Sequence, residues 1–166
     1  SMSDYPAINP PIIDKCDGKF KPFGRDLEKY ARNWALPGTA GLEHRVGGLE
    51  KNPAGAVSSD PLVHEQMVAA RAEKVARVAN YIPELEVMGN QSGDVLLVGW
   101  GGTYGHLYTA TKQLLAEGAN VGFAHFDYIN PLPKKTAEVF AKFKKIIVCE
   151  LNSGQFVDYL RAKHHE

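Results

Sequence analysis

Three short apolar runs in the second half of the chain constrain its fold more than any other feature. They cover residues 94–99, 121–126 and 146–150, and each has the length and continuous apolar character of a strand buried on both faces. Helical patterns at 104–117 and 133–143 separate them. Because strands that alternate with helices pair in parallel through right-handed crossovers, the sequence predicts an α/β fold. We expect three layers, a mostly parallel sheet with helices on both faces, in a strand order that the sequence leaves open.

Further elements flank this core. Residues 85–88 form a short extended piece that is a candidate antiparallel edge strand. A last helix would run to Leu160 from a cap at Asn152 or Ser153. A long helix is predicted from Asp60-Pro61 to about Ile82, since aspartate caps helices and proline fits their first turn. Its expected buried face consists of apolar residues three or four positions apart: Val68, Ala72, Val75, Ala79 and Ile82.

The first 59 residues are rich in residues that break regular structure. They hold six of the ten prolines and seven of the 16 glycines, which predicts loops and short extended pieces. Aromatic and apolar residues should anchor this arm to a core, its own or a neighbour's: Phe20, Phe23, Tyr30, Trp34 and Leu36. The predicted organisation is a loop-rich arm at 1–59, a long helix at 60–83 and an α/β core at 84–166, forming one structural domain overall.

Composition limits the classes of function. The 19 basic and 19 acidic residues give no net charge, which argues against nucleic-acid binding and against a polybasic membrane surface. No apolar run reaches the roughly 20 residues that a bilayer requires, and the first residues do not resemble a secretory signal. Cys16 and Cys149 form no CxxC motif. Free thiols in a reducing cytoplasm are the simplest interpretation, with Cys149 acting as a small hydrophobe.

Candidate functional residues lie in the loops at the carboxyl ends of the predicted strands, where open α/β sheets meet their ligands. They are Gly101, Gly102, Thr103 and Tyr104 after the first strand, and Asn152 after the third. The glycine turn departs from the dinucleotide pattern G-x-G-x-x-G, since Tyr104 occupies the sixth position, and it is not a P-loop. We expect its glycines to permit close packing of the helix and approach of another chain. Anion binding at the helix N-terminus stays open as an alternative.

Polar residues of the arm form a second candidate site. Glu43, His44 and Arg45 precede a Gly-Gly pair, and Glu50 follows it. Such a cluster could border a neighbouring active site or form ion pairs between subunits, or it could be an exposed loop with incidental charges. His125 alternates with apolar strand residues, so we expect it to face a packed layer as a neutral, hydrogen-bonded side chain. No motif identifies a catalytic residue or a metal ligand.

Several longer runs resemble a known family. They are Ala-Arg-Asn-Trp-Ala-Leu-Pro-Gly at 31–38, Gly-Leu-Glu-His-Arg-Val-Gly-Gly-Leu-Glu-Lys at 41–51, Val-Gly-Trp-Gly-Gly-Thr-Tyr-Gly at 98–105, Asn-Pro-Leu-Pro at 130–133 and Glu-Leu-Asn-Ser-Gly-Gln at 150–155. Ser59-Asp60-Pro61, followed by His64 and by 71–75, extends the match. Together they resemble the alpha subunit of 2-oxoacid:ferredoxin oxidoreductases, above all the 2-oxoglutarate type. The resemblance covers nearly the whole chain and implies a domain similar to the C-terminal domain of transketolase.

The resemblance also implies an activity. Enzymes of this family oxidatively decarboxylate a 2-oxoacid to an acyl-CoA with thiamine diphosphate, Mg and iron–sulfur clusters, and reduce ferredoxin. The chain has no GDG motif and no cluster-binding set of cysteines, so it is expected to be a C-terminal fragment without cofactor or catalytic residue. Its expected partners are the beta subunit, the preceding alpha-subunit domains and, through the complex, ferredoxin. The alternatives are a free-standing nucleotide-binding or anion-binding domain, or the equivalent domain of a pyruvate-type thiamine enzyme.

Overall fold

The computed structural model describes residues 12–164. The chain divides into two compact units, with the boundary between Val78 and Ala79. This boundary falls inside the predicted helical segment 60–83. Within the described residues, no helix combines the length and the apolar content needed to cross a bilayer.

The first unit consists mainly of loops. Two strands of two residues each, β1 (Ile12–Ile13) and β2 (Trp34–Ala35), pair in parallel. The unit ends in helix α1 (Pro61–Arg77), which a short 3-10 turn (Val78–Asn80) extends. The density of proline and glycine explains why so little regular structure precedes α1.

Helix α1 begins as the sequence predicts. The Asp60 carboxylate accepts a hydrogen bond of 2.9 Å from the backbone N–H of Leu62, and Pro61 occupies the first helical position. Near the other end, the Arg77 guanidinium donates to the carbonyl oxygens of Leu27 and Glu28 and thereby fastens an arm loop to the helix. Both ends of the helix are therefore fixed by polar contacts.

The predicted buried face of α1 is wrong. Val68 is 47% exposed and Val75 is 42% exposed, whereas Met67 is 7% exposed. Val63 and Ala70, placed four residues before and three after Met67, are half-buried. This stripe has the same helical spacing as the predicted one, because small or apolar residues occur around most of the helix. Spacing alone therefore identified a helix but not the side that packs.

Two of the predicted arm anchors are also exposed. Trp34 is 58% and Leu36 is 47% exposed, while Leu42 is 4% exposed and Pro22 is buried. Trp34 belongs to β2 and Leu36 follows it. Because β1 and β2 have only two residues each, they form too small a surface to bury large side chains.

The second unit contains a four-stranded sheet. Its strands are β3 (Val87–Gly89), β4 (Gly93–Trp100), β5 (Val121–Phe126) and β6 (Phe143–Val148), in the order β3-β5-β4-β6. Strand β4 is parallel to both β5 and β6, and β3 is antiparallel to β5 at the edge. The predicted α/β class, the mostly parallel sheet and the edge strand are confirmed. Because β5 and β6 lie on opposite sides of β4, the chain reverses its winding direction there.

Three helices cover this sheet: α2 (Tyr104–Ala116), α3 (Thr136–Phe140) and α4 (Gln155–Lys163). Helix α2 packs on the face that carries Gly99. Helices α3 and α4 pack on the other face, so the predicted three layers are present. The apolar core on that side consists of Leu85, Leu96, Val98, Ala124, Phe126, Val139, Phe143, Phe156 and Leu160.

The structure corrects the predicted bounds of two elements. Helix α3 covers five residues, Thr136–Phe140, instead of 133–143, and β6 covers Phe143–Val148 instead of 146–150. Phe143 is buried against the sheet, where its ring fills the space beside Gly122. The carbonyl oxygen of Lys142 accepts a hydrogen bond from the Gly93 N–H at 3.1 Å. Phe143 fits the apolar spacing of a helix, but this tertiary packing places it in a strand.

Candidate functional site

The turn after β4 brings helix α2 close to the sheet at Gly99. A Cβ atom on Gly99 would lie 2.3 Å from Leu107 Cδ1 and 2.6 Å from Thr103 Oγ1, so only glycine fits there without displacing a neighbour. At Gly101 and Gly102 a Cβ atom would meet no atom within 4 Å, and Gly101 has a φ of +56°. Gly99 thus permits close packing, and Gly101 provides the turn conformation that other residues rarely adopt.

Thr103 closes this turn with its hydroxyl group. Its Oγ1 donates to the carbonyl oxygen of Trp100 at 2.9 Å and accepts from the Trp100 backbone N–H at 3.1 Å. Thr103 is 7% exposed. Because both hydrogen bonds go to the backbone of the same turn, the hydroxyl is occupied in a structural role.

Tyr104 begins α2 and is half exposed. Its ring stacks on Tyr108 at a centroid distance of 5.8 Å and meets the edge of His125 at 5.1 Å. These rings lie on the α2 face of the sheet, at the carboxyl end of β5. An aromatic cluster therefore covers the ends of the neighbouring strands β4 and β5.

His125 faces the packed layer, as predicted, with 12% of its side chain exposed. The predicted hydrogen bond is absent among the described residues. Its Nδ1 is buried without a partner, and its Nε2 lies 3.9 Å from Asp127 Oδ1, beyond hydrogen-bond distance. The surrounding rings fill the space beside the imidazole but offer it no strong acceptor.

The loop after β6 is organised by Glu150, which the sequence pattern predicts to be the last residue of that strand but which lies beyond it. Its carboxylate accepts hydrogen bonds from the backbone N–H groups of Phe156 and Val157 at 3.0 and 3.1 Å. Burial raises the pKa of Glu150, but these hydrogen bonds outweigh that effect, and the pKa lies below its ordinary value. Glu150 therefore caps α4 from outside the helix.

The residues expected to cap α4 form hydrogen bonds within the preceding loop and with the first helical residue instead. Asn152 Oδ1 accepts from the Gly154 N–H at 3.3 Å, and the Ser153 N–H donates to Gln155 Oε1 at 3.0 Å. Gly154 precedes the helix in a left-handed conformation. The expectation that Asn152 or Ser153 caps the helix is wrong, because the long side chain of Glu150 reaches the free N–H groups from the end of the preceding strand.

In the first unit, Glu43, His44 and Arg45 line a cavity of about 610 Å³. All three residues are exposed. His44 Nδ1 lies 2.9 Å from the Leu42 carbonyl oxygen, and its ring meets the edge of Phe20 at 5.4 Å. The structure thus gathers this predicted cluster on one concave surface, with His44 oriented by the backbone.

Glu50 lines a second cavity, of about 800 Å³. Its carboxylate accepts a hydrogen bond from Arg71 Nη1 at 2.8 Å and is paired with His64 Nδ1. The Arg71 hydrogen bond, followed by that of His64, holds the pKa of Glu50 below its ordinary value. Sequence reasoning did not identify these partners, although their spacing of seven residues on one helix places them on the same face.

Lys51 has its ammonium group inside the first unit. The residue is 2% exposed, and its Nζ donates to the carbonyl oxygens of Gly47 and Leu49 at 3.0 and 2.6 Å. The loop of the Gly-Gly pair is therefore wrapped around a buried positive charge.

The described residues do not fit the metal cofactors that the resemblance implies. Among residues 12–164 no group of three or more His, Cys, Asp or Glu side chains could hold a metal ion. The chain has two cysteines, Cys16 and Cys149, and both are free. A cluster held by four cysteine thiolates cannot be ligated by two residues. Burial also raises the pKa of the Cys149 thiol, which disfavours the thiolate that a metal requires.

Similarity to known proteins extends over nearly the whole chain, although no family model matches it. The chain is 41% identical over 167 residues to the 2-oxoglutarate oxidoreductase subunit KorA of Mycobacterium tuberculosis, covering 96% of this chain and 25% of that protein. It is 30% identical to the alpha subunit of 2-oxoacid:ferredoxin oxidoreductase 1 of Aeropyrum pernix, covering 81% of this chain and 22% of that protein. The chain belongs to the alpha-subunit family of the 2-oxoacid:ferredoxin oxidoreductases.

A solved member of this family has the same fold. The 2-oxoglutarate:ferredoxin oxidoreductase from Magnetococcus marinus, determined with 2-oxoglutarate, coenzyme A and succinyl-CoA bound, matches with a TM-score of 0.88 and 31% identity. The match covers 99% of this chain and 29% of that one. The chain spans about a quarter of the length of the alpha-subunit relatives it matches.

Proposed function

We propose that this chain is a non-catalytic, structural segment of the alpha subunit of a 2-oxoglutarate:ferredoxin oxidoreductase. The whole enzyme would convert 2-oxoglutarate to succinyl-CoA by oxidative decarboxylation and reduce ferredoxin. The observation that carries the proposal is the 41% identity, over 96% of the chain, to a subunit named for 2-oxoglutarate. That relative favours 2-oxoglutarate over the pyruvate-type alternative.

The polar groups of the strand-end loops support a structural role. The Thr103 hydroxyl bonds to the backbone of the turn after β4, and the Glu150 carboxylate bonds to the backbone of α4. We propose that thiamine diphosphate, Mg and the iron–sulfur clusters are held by other parts of the enzyme, since the two cysteines here are too few for a cluster. Coenzyme A would enter as co-substrate in the cytoplasm.

The candidate residues at the surface would then act at borders between parts of the enzyme. They are the exposed Glu43, His44 and Arg45 and the half-buried Glu50 in the arm, and the exposed Gly101, Gly102, Tyr104 and Asn152 in the strand-end loops. We propose that they contact the preceding alpha-subunit domains or the beta subunit, or line the entrance to the active site. Ferredoxin would meet the assembled complex.

The alternative of a free-standing nucleotide-binding domain is disfavoured at the glycine turn. The hydroxyl group of Thr103 donates to the carbonyl oxygen of Trp100 and accepts from the Trp100 backbone N–H, so the turn itself occupies it. Direct titration with NADH would test this alternative, since micromolar binding at the turn would favour it.

The experiment that tests the proposed function exchanges segments between related enzymes. This chain replaces the matching segment of the M. tuberculosis alpha subunit, which is co-expressed with its beta subunit. We expect an assembled complex that oxidises 2-oxoglutarate in preference to pyruvate. A second complex lacks residues 36–51 of the inserted chain and should lose assembly or turnover. Normal activity of that deletion variant would contradict the structural role.

A further inference from the structure

The larger cavity of the first unit has an unbalanced charge. Five cationic residues line it, namely Arg25, Arg32, Lys51, Arg71 and Lys74, together with one carboxylate, Glu50. Glu50 is engaged with Arg71 and His64. The remaining positive charges therefore share a concave surface without an acidic partner among the residues that line it.

Two of the arginines that line this cavity are not fully paired. Arg25 donates through Nη1 to the Tyr30 carbonyl oxygen at 2.9 Å, but its Nε is buried with no hydrogen-bond partner among the described residues. The Arg32 guanidinium lies over the Phe23 ring, 4.7 Å from its centroid. Among residues 12–164, no carboxylate lies within ion-pair distance of Arg32. A buried N–H group without an acceptor is costly and uncommon in folded proteins.

The three guanidinium groups also repel one another. Burial lowers the pKa of Arg25, and the positive charges of Arg32 and Arg71 lower it further. Like charges held together without an intervening anion cost free energy, which a bound anion would offset. Guanidinium groups suit such a role because their paired N–H donors match carboxylate and phosphate oxygens.

The remaining lining limits the size and character of the ligand. Phe23, Met67, Val75 and Val78 contribute apolar surface, and Gly47 and Gly48 carry no side chain into the space. The volume of about 800 Å³ lies within the usual range for sites that take small organic molecules. A molecule with an anionic group and some apolar carbon matches this surface better than a bare ion.

We propose that this cavity binds a small organic anion through a carboxylate or phosphate group held by Arg25, Arg32, Arg71 and Lys74. The site lies entirely within the first unit of this chain. It does not depend on the oxidoreductase activity proposed above, so a failure of either proposal leaves the other intact.

The test titrates the full 166-residue chain with three probes at low ionic strength: 2-oxoglutarate, coenzyme A and inorganic phosphate. Binding is followed by calorimetry and by two-dimensional NMR of the backbone amides. We expect submillimolar binding of an organic probe, with shifts at Gly47, Gly48 and Lys51. Response to 2-oxoglutarate alone identifies a carboxylate ligand, and response to coenzyme A, with weaker binding of phosphate, identifies a phosphate ester.

Two substitutions in the cavity and one outside it make the test specific. Arg32→Gln and Lys74→Gln should each weaken binding by roughly tenfold, the loss expected for one charge-assisted hydrogen bond. Lys112→Gln, which removes an exposed lysine from α2 in the other unit, should change nothing. The proposal is overturned if no probe binds at millimolar concentration, or if Lys112→Gln weakens binding as much as the cavity variants.

Discussion

Gly99 and Leu107 lie in such close contact that a methyl group on Gly99 would come within 2.3 Å of Leu107 Cδ1. The same methyl group would lie 2.6 Å from Thr103 Oγ1, which closes the turn. We therefore expect Gly99→Ala to destabilise the second unit by about 1–3 kcal/mol, the usual cost of overpacking a core. Urea unfolding followed by Trp100 fluorescence in a Trp34→Phe background measures this change.

Gly102 supplies the matched control. An added methyl group there meets no atom within 4 Å, and Gly102 does not have a positive φ. Gly102→Ala should leave the unfolding midpoint nearly unchanged. Equal destabilisation by the two substitutions would contradict this explanation. It would show that any added methyl group in the turn lowers stability, whether or not it contacts Leu107.

Glu150 caps α4 through two backbone N–H groups, so its removal should weaken that helix. We expect Glu150→Ala to cost about 1 kcal/mol, as for the loss of other helix caps. Glu86→Ala, which removes an exposed carboxylate between Leu85 and β3, is the control. Thermal unfolding monitored by circular dichroism compares the three proteins.

The Glu150 contribution should depend on pH in a defined direction. The pKa is lowered in the folded protein from an ordinary value of 4.5, so the stabilisation is fully present above that value and is lost as the pH falls through the folded pKa. The difference between the wild type and Glu150→Ala should therefore be present at neutral pH and shrink in acid. A difference that grows in acid would contradict the capping role.

Glu50 should titrate below the ordinary glutamate range because of Arg71. Loss of the Arg71 hydrogen bond in Arg71→Gln should raise the pKa of Glu50 towards its ordinary value, while His64 keeps part of the effect. Carbon-detected NMR of the side-chain carboxylates over a pH series measures both values. Lys112→Gln is the control, and an unchanged Glu50 titration in Arg71→Gln would contradict the assigned pairing.

The two cysteines should differ in reactivity. Cys16 is exposed, whereas Cys149 is half-buried and burial raises the pKa of its thiol. Since the thiolate is the reactive form, iodoacetamide at neutral pH should label Cys16 first. Mass spectrometry of peptides over a time course measures both rates, and Cys16→Ser isolates the slower one. Equal rates would contradict the burial of Cys149.

The sheet of the second unit was accessible from the sequence because its signals are local. Residues 121–126 and 94–99 are short apolar runs next to glycine turns, and β5 and β4 coincide with them or extend them by one residue at each end. The strand order was not accessible, since hydrogen bonds between strands far apart in sequence decide it. The boundary of β6 failed for the same reason, because Phe143 owes its place to packing beside Gly122.

The polar sites show a similar division. Glu50 and the cluster at 43–45 were identifiable as charged residues around a Gly-Gly pair, but the pairing of Glu50 with Arg71 joins residues 21 positions apart. The apolar pattern places Glu150 at the end of a strand, and its capping role is not visible there because it depends on N–H groups that are free only once α4 has formed. Similarly, α1 was predictable as a helix, whereas the choice of Met67 over Val68 for the buried side depends on what the arm loops place against it.

The most direct test of the central claim asks whether this chain can turn over a substrate by itself. The purified chain is incubated with 2-oxoglutarate, coenzyme A, thiamine diphosphate, Mg²⁺ and oxidised ferredoxin, and succinyl-CoA is measured by mass spectrometry. The chimaeric complex, which contains the same segment within a whole enzyme, serves as the positive control. We predict product from the complex and none from the isolated chain. Succinyl-CoA formed by the isolated chain would contradict its role as a non-catalytic segment.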